Sequence, residues 1–346
     1  MDMNRFIAKI GAGPKTWKDL TWEEAKQAMR LLIEGQATPA QVGAFLLAMR
    51  LKMESVGEMA AFTSVAREYV PALSVSPHLP LVDLPTYAGK QETFHATVGA
   101  AIVAAAAGAT VLMHGNDGVP GRVTAVAVLA PLGVPIDLEP KRVAESLEAK
   151  GFAYLDIALY HPAVARFLEM RRELGVRNLF HPVAKMLNPA RARSQVIGVT
   201  HPPYLEKTAE ALRMLGAAQA LVLRGVEGDP ELSIAAVTKA LELRHERIAP
   251  LTLQPKDAGL PLGMVRDMSV APGAHPEQEA VLLRRILRNE IHGGARNWVV
   301  ENAALLLYAS GKAPSIPAGA PLAQQALESG AAARKLDELA APRVAA

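Results

Sequence analysis

Apolar residues in the first seventy positions recur at the spacing of an amphipathic helix, as Phe45, Met49 and Met53 show. Three stretches in this region open with a capping sequence, in which Ser or Thr is followed three residues later by Glu or Gln. These stretches begin at Thr21, Thr38 and Ser55. The pattern predicts one packed helical domain over residues 1–74, which ends in a proline-rich hinge at 71–80.

After the hinge, short apolar runs alternate with helical stretches. The predicted strands are 81–84, 110–113, 134–137, 196–199 and 220–223. The predicted helices are 95–107, 123–131, 141–149, 204–215, 277–291 and 298–309. This alternation favours an α/β domain, with a mainly parallel sheet flanked by helices, over residues 75–346. Residues 161–190 lack strand signals, so we expect a helical excursion at 161–193 that joins the helical domain.

Composition narrows the class of protein. Half of the 346 residues are apolar and a fifth are charged, which is typical of a globular chain. The absence of cysteine excludes disulfides and thiolate metal sites. The apolar run at 98–113 is too short for a bilayer span, and the start has no signal-peptide pattern. We therefore expect a soluble cytoplasmic protein.

Charge is distributed unevenly along the chain. Residues 165–225 hold ten Lys and Arg against four Asp and Glu, although the whole chain has a net charge of only +3. Such asymmetry indicates either a face that binds polyanions or a solvated helix surface with acidic partners nearby.

Common catalytic motifs are missing. The sequence has no P-loop, no HExxH, no GxSxG and no acidic cluster at metal-loop spacing. Four histidines (114, 161, 181 and 201) each precede Gly or Pro, where a structural role is more common than catalysis. The motifs therefore give no support for nucleophilic catalysis.

Four dispersed segments carry a resemblance to a known family. They are TFHATVGAAIVAAAAGATVLMHGN, MRRELGVRNLFHPVAKMLNPA, GVTHPPYLEKTAEALRMLG and ENAALLLYASGKA. Their content and order are similar to the anthranilate phosphoribosyltransferase family. The resemblance implies a nucleoside phosphorylase/phosphoribosyltransferase-like fold and a homodimer formed through the helical part.

The resemblance also shows what this chain lacks. In that family a turn reading roughly GTGGDxxxTFNxST holds the pyrophosphate of phosphoribosyl pyrophosphate, and glycines let backbone N–H groups approach it. Here Pro85, Tyr87 and Ala88 stand at the three glycines and Gly89 stands at the aspartate, while Thr86 is kept. We expect this former cofactor loop (Thr86, Tyr87, Gly89 and Lys90) to have lost the pyrophosphate, and we expect no cofactor.

Two further motifs are altered in the same direction. In the family's KHGNRxxSS motif, Met113 replaces the lysine, Asp117 replaces the arginine, and both serines are gone. The family's Asp-Glu metal pair becomes Pro230-Glu231, so no metal site is expected, and Glu231 would be its only matched ligand. The resemblance implies that a former acceptor pocket is retained in this chain. Its residues are His114, Asn116 and Arg171.

The segments PTYAGKQ, GVRNLFHPVAKML and VTHPPYL resemble, more narrowly, the YbiB-type branch, whose members lack the activity and bind nucleic acid. This resemblance predicts a sequence-tolerant protein that binds nucleic acid, with single-stranded or non-specific DNA as the expected partner, and not an enzyme. The expected contact residues are Arg166, Arg171, Arg172, Arg177, Lys185, Arg191 and Arg193.

Two alternatives remain open. One is a glycosyltransferase or phosphoribosyltransferase with altered substrate use, in which Lys90 and Glu231 take part in a different handling of pyrophosphate. The other is a dimeric scaffold for a protein partner, which would have neither activity.

Overall fold

The protein is described by a computed structural model that covers residues 2–119, 121–270 and 275–340. Four helices make the N-terminal unit: α1 (Asn4–Ile10), α2 (Trp22–Ile33), α3 (Pro39–Lys52) and α4 (Val56–Glu68). The three predicted capping boxes open α2, α3 and α4, each with the Ser or Thr side chain accepting from the backbone three residues on. Local sequence therefore fixes where these helices begin.

A seven-stranded sheet forms the centre of the larger unit. Its strands are β1 (Leu81–Thr86), β2 (Thr110–Gly115), β3 (Phe152–Asp156), β4 (Ser194–Gly198), β5 (Gln219–Arg224), β6 (Thr238–Arg244) and β7 (Arg247–Leu253). They are arranged in the order β3-β2-β1-β4-β5-β6-β7. The pairs among β1 to β5 are parallel, and β6 and β7 add antiparallel pairs at one edge. A helical domain beside a mainly parallel sheet confirms the predicted fold class.

Helices cover both faces of the sheet. Those before the excursion are α5 (Ala96–Ala106), α6 (Ala125–Leu132) and α7 (Pro140–Lys150). The excursion holds α8 (Ile157–Tyr160), α9 (Pro162–Glu169), α10 (Arg171–Leu174) and α11 (Phe180–Lys185). The rest are α12 (Pro203–Met214), α13 (Val265–Met268), α14 (Pro276–Leu287), α15 (Gly294–Ala309), α16 (Ile316–Glu328) and α17 (Ala331–Leu339), with a 3₁₀ turn at Pro255–Ala258. No helix within the described residues is long and apolar enough to cross a membrane.

The excursion packs on the N-terminal helices, and other helices cover the opposite face of the sheet. Phe45 and Phe62 share one buried apolar cluster with Phe167 and Phe180, whose rings stack 4.2 Å apart. The Arg67 guanidinium of α4 donates to the Met186 carbonyl after α11. This packing places the excursion helices as one wall of a cleft above the sheet.

One predicted strand was wrong, and three strands were missed. Residues 134–137 are a turn between α6 and α7, because Pro135 removes a ladder donor from the middle of that short run. The third strand is instead β3, which was not predicted. The hairpin of β6 and β7 was also missed, since its turn uses His245 and Glu246 at positive φ where Asn-Gly is the usual signal.

Candidate functional site

The carboxyl ends of β1 and β4 open onto a cleft between the sheet and the helical unit. In open α/β sheets, ligands bind outside the carboxyl ends of the strands, at the point where strand order reverses. Here the chain runs from β1 to β2 on one side and β4 lies on the other, so the cleft has that position. The segments that follow β1, β2 and β4 line it together with α3, α11 and α12.

Tyr87 fills the floor of the former cofactor loop. Its side chain is buried, and its hydroxyl lies 2.9 Å from His114 Nδ1 and 2.8 Å from the Tyr160 hydroxyl. On the other side of the imidazole, His114 Nε2 lies 3.1 Å from Asp83 Oδ1, an ion-pair distance without the alignment of a hydrogen bond. Burial raises the pKa of Tyr87 and of Tyr160 well above the ordinary value, so both phenols stay neutral. Tyr87 is therefore an anchored plug.

The loop is also closed by its own backbone. Lys90 N donates to Val123 O at 2.8 Å, and Val123 N donates back to Lys90 O at 2.9 Å. Arg122 donates to the Gly89 carbonyl at 2.9 Å. A Cβ at Gly89 would stand 2.6 Å from the Arg122 Cβ, so only glycine permits this approach. The Lys90 backbone N–H and the Gly89 carbonyl are therefore already occupied by contacts with Val123 and Arg122.

The first turn of α5 carries an internal anion. Glu279 of α14 is buried, and its Oε2 accepts from His95 N at 3.1 Å and lies 2.8 Å from His95 Nδ1. A helix N-terminus is a ready site for a phosphate because its N–H groups are free and its dipole is positive. In this chain a carboxylate of the protein already holds that position.

Lys90 has turned inward from the same loop. Its side chain is only 2% exposed, and its Nζ lies 2.9 Å from Glu231 Oε2 and 3.8 Å from Asp229 Oδ2. The ammonium group also donates to the Phe94 carbonyl at 2.9 Å and lies 4.5 Å from the ring centre of Trp298. Lys90 and Glu231, which the sequence suggested together, are thus an ion pair.

Basic and apolar side chains line the cleft itself. Arg50 comes from α3, Arg177 from the segment before α11, and Lys185 from the end of α11. The remaining lining residues are Tyr87, Ala88, Asn178, His181, Pro182, Val199, Thr200, His201, Tyr204 and Thr208. No Asp or Glu is among these described residues, so the cleft has an uncompensated positive charge. Its volume of about 70 Å³ has room for a few water molecules, so a larger ligand requires the walls to separate.

Burial weakens the protonated forms of these bases. It lowers the pKa of Lys185 to about 7, with help from the positive charge of Arg177, and the ammonium donates to the Gly198 carbonyl. Burial and the charge of Arg171 lower the pKa of Arg177 to about 10. Burial, followed by Arg177, lowers the pKa of His181 to about 3, so this imidazole is neutral. An anion that enters the cleft would relieve this mutual repulsion.

The predicted acceptor pocket is only partly assembled. Asn116 and Arg171 line one small cavity next to the cleft, together with Tyr87 and His181. His114 lies underneath, fully buried, and contacts the cavity only through Tyr87. Thr86 Oγ1 donates to the His114 carbonyl at 3.1 Å and so holds the loop to β2.

The seven basic residues predicted to contact nucleic acid do not form one surface. Arg177 and Lys185 line the cleft, and Arg171 and Arg172 border the adjacent cavity. Arg191 and Arg193 line a separate groove with α4 and the hinge. Arg172 donates to the Gly118 carbonyl, and Arg166 lies over the Phe167 ring. Charge counted along the sequence therefore overstated the charge presented on any one face.

Sequence reasoning missed several residues of the site. Arg50 lies in the helical domain, more than a hundred residues from Arg177, and nothing local marks it. His201 was assigned a structural role at a turn, and Tyr204 belongs to the VTHPPYL segment, which was used for its resemblance. Tyr204 donates to Glu54 Oε2 at 2.7 Å and ties α12 to the helical unit. Spacing alone could not show that these groups face Lys185.

This fold and its cleft correspond to a known class of enzymes. Residues 4–70 match the helical bundle domain of the glycosyl transferase family, and residues 81–333 match its a/b domain. The anthranilate phosphoribosyltransferase of Geobacillus kaustophilus is 36% identical over 342 residues, which cover 99% of this chain and 98% of that protein. That of Hahella chejuensis is 36% identical over 345 residues, covering 98% and 97%. The chain belongs to the anthranilate phosphoribosyltransferase family.

Solved structures agree. The crystal structure of anthranilate phosphoribosyltransferase from Thermus thermophilus is 34% identical, with a TM-score of 0.86 and 98% of each chain covered. The Saccharomyces cerevisiae enzyme in complex with PRPP and Mg gives a TM-score of 0.84 over 98% of this chain and 96% of that one. At 19% identity, this second likeness shows the fold alone.

The prediction of a sequence-tolerant DNA-binding protein is wrong. The relatives carry the name of an enzyme, and none of these findings indicates DNA binding. The scattered positions of the seven basic residues give a physical reason, because a phosphate backbone needs cations along one continuous face. The alternative reading, a transferase with altered substrate use, agrees better with the family.

Proposed function

We propose that the chain is a pentosyltransferase that takes a phosphorylated pentose and holds its anionic groups in the cationic cleft. The observation that carries this proposal is the convergence of Arg50, Arg177 and Lys185, with no carboxylate among the described lining residues. Guanidinium and ammonium groups bind phosphate and carboxylate strongly where water is excluded. The relatives' activity, phosphoribosyl transfer to anthranilate, joins two such anionic partners.

The S. cerevisiae enzyme was solved in complex with PRPP and Mg, but magnesium and a pyrophosphate held by the former cofactor loop do not fit the site of this chain. Tyr87 occupies the loop floor, and the Lys90 backbone N–H is bonded to the Val123 carbonyl. Lys90 stands against Glu231 and Asp229. No step of the proposed transfer therefore involves a metal.

The cleft supplies two kinds of chemistry to the transfer. Fixed cations stabilise the negative charge that develops on a departing phosphate group, and they need no reorganisation when the bond breaks. Lys185, with a pKa of about 7, is partly neutral at physiological pH and becomes charged when an anion binds beside it. Arg177 is oriented by its 3.0 Å hydrogen bond to Thr200 Oγ1.

The test is turnover of phosphoribosyl pyrophosphate in the presence of EDTA. Anthranilate, other aromatic amino-carboxylates and nucleobases serve as acceptors, and released pyrophosphate is the readout. We expect turnover that falls at least about tenfold in Arg177→Gln and in Lys185→Met, since each removes a cation from the cleft. Arg193→Gln is the matched control, because it removes a charge from the same basic segment outside the cleft.

Two results would overturn the proposal. One is the absence of pyrophosphate release with every acceptor, with or without magnesium. The other is turnover that Arg177→Gln and Lys185→Met leave at the level of Arg193→Gln.

The narrower resemblance to the YbiB-type branch rests on PTYAGKQ and its neighbouring segments and stays a prediction. We propose it only as a statement of ancestry. The nucleic-acid function that it implied is not carried with it.

A further inference from the structure

Two carboxylates beside the cleft already have a cation between them. Glu231 is 3% exposed, and Asp229 accepts a 2.6 Å hydrogen bond from Thr93 Oγ1. Lys90 Nζ lies within 2.9 Å of the first and 3.8 Å of the second. We infer that the Lys90 ammonium takes the place of a divalent cation and supplies a single positive charge there, so that this site excludes metal and works without it.

The lysine is held in position from all sides. Phe94 O accepts from Nζ at 2.9 Å, and the Trp298 ring faces it at 4.5 Å. Moving the ammonium out would leave Glu231 as a buried charge without compensation, which costs free energy. A metal cannot displace Lys90 unless its binding supplies that free energy.

The backbone next to Glu231 is held in place as well. Leu232 N donates to Asn302 Oδ1 at 3.0 Å, and Trp298 Nε1 donates to the Leu232 carbonyl, so α15 pins the residue next to Glu231. Magnesium needs near-octahedral oxygen ligands at about 2.0–2.1 Å. Within the part of the chain described by the structure, no group of three or more His, Cys, Asp or Glu could hold a metal ion.

The purpose of this arrangement rests on the proposed function. The exclusion of metal follows from the contacts of Lys90 and can be tested without substrate. A built-in cation keeps the charge that stabilises Glu231 while removing any dependence on free magnesium. Glu279 on His95 N is the matching internal anion at the start of α5. The chain thus carries fixed charges of both signs, the Lys90 ammonium and the Glu279 carboxylate, near the former cofactor loop.

The test is a Mn²⁺ titration followed by electron paramagnetic resonance, with Mn²⁺ standing for Mg²⁺ as a hard oxygen-seeking ion. Wild type, Lys90→Met and Lys90→Met/Glu231→Gln are compared. We expect wild type to bind Mn²⁺ only weakly, with no stoichiometric site. Lys90→Met should bind one Mn²⁺ at least about tenfold more tightly than wild type does, and the double variant should lose that site. Lys52→Met is the matched control, because Lys52 is also a buried lysine between two carboxylates, at 2.5 Å from Asp19 and 2.7 Å from Glu58.

Each outcome decides the inference. A 1:1 Mn²⁺ site in wild type that disappears in Glu231→Gln overturns it. Equal Mn²⁺ binding by Lys90→Met and Lys52→Met also overturns it, since any orphaned carboxylate pair would then suffice. If Lys90→Met does not fold while Lys90→Met/Glu231→Gln does, the role of Lys90 as the counter-ion of Glu231 is supported. If both variants are as stable as wild type, that role is refuted.

Discussion

Glu301 of α15 offers a direct test of the electrostatics beneath the cleft. Its carboxyl is 2% exposed, and its Oε2 has no hydrogen-bond partner among the described residues. Burial, with the negative charges of Asp257 and Glu227, raises the pKa of Glu301 from 4.5 to about 8. At neutral pH the folded protein therefore keeps a proton that the unfolded chain gives up.

The sign and size of the effect follow from linkage. Because the folded pKa lies above the unfolded one, the favourable contribution of this group is complete below pH 4.5 and is lost as the pH rises to 8. Each pH unit in that window lowers the free energy of unfolding by about 1.4 kcal/mol. At pH 7 the accumulated loss is about 3 kcal/mol.

Glu301→Gln removes the titration while keeping the shape of the side chain. We expect the variant to gain stability relative to wild type, from about 1 kcal/mol or less at pH 5 to about 3 at pH 7. Urea unfolding of both proteins at pH 5, 6, 7 and 8 measures the difference, with Glu246→Gln in the exposed β6–β7 turn as control. A difference that does not change with pH would refute the burial of an ionisable Glu301.

Three further predictions follow from the same structure. Tyr87→Phe deletes the hydroxyl that contacts His114 and Tyr160, and thermal unfolding should show a loss of about 1–3 kcal/mol; an unchanged Tm would contradict the anchored plug. Lys185→Met should abolish a rise in stability of about 1.4 kcal/mol per pH unit above pH 7, because the lowered folded pKa makes the unfolded chain the proton-rich state there; parallel pH profiles in urea would contradict this. The homodimer predicted from the family resemblance should dissociate when exposed Leu47 and Leu51 of α3 are both changed to Glu, and light scattering that shows a wild-type monomer would contradict it.

Local signals explain why most of the fold could be predicted. The capping sequences at Thr21, Thr38 and Ser55 state where helices begin, and the structure has all three. Buried parallel strands such as β1 and β2 appear as short apolar runs, which a sequence reveals directly. The antiparallel edge was harder, because β7 is largely exposed and its alternation is weak.

The site could be predicted only in part, because it depends on side-chain direction. The replacement of glycine by Tyr87 marks a lost pyrophosphate loop, but no spacing shows that its hydroxyl turns toward His114. Lys90 and Glu231 are 141 positions apart and were suggested together only by the family's motifs. Basic residues of the excursion looked like one patch along the chain, yet α11 directs Lys185 inward while Arg193 faces another groove. Three-dimensional packing decides such questions.

Metal-free binding of an anionic substrate in the cationic cleft can be measured by calorimetric titration of phosphoribosyl pyrophosphate into the protein, in EDTA at pH 8. Performed in two buffers with different heats of ionisation, it reports both the affinity and the number of protons taken up. With a pKa of about 7, Lys185 is mostly neutral at pH 8, so an anion bound beside it should draw about 0.9 of a proton from the buffer. We expect metal-free binding with that proton uptake, and we expect Lys185→Met to abolish the uptake. Binding that requires magnesium, or that takes up no proton, would contradict it.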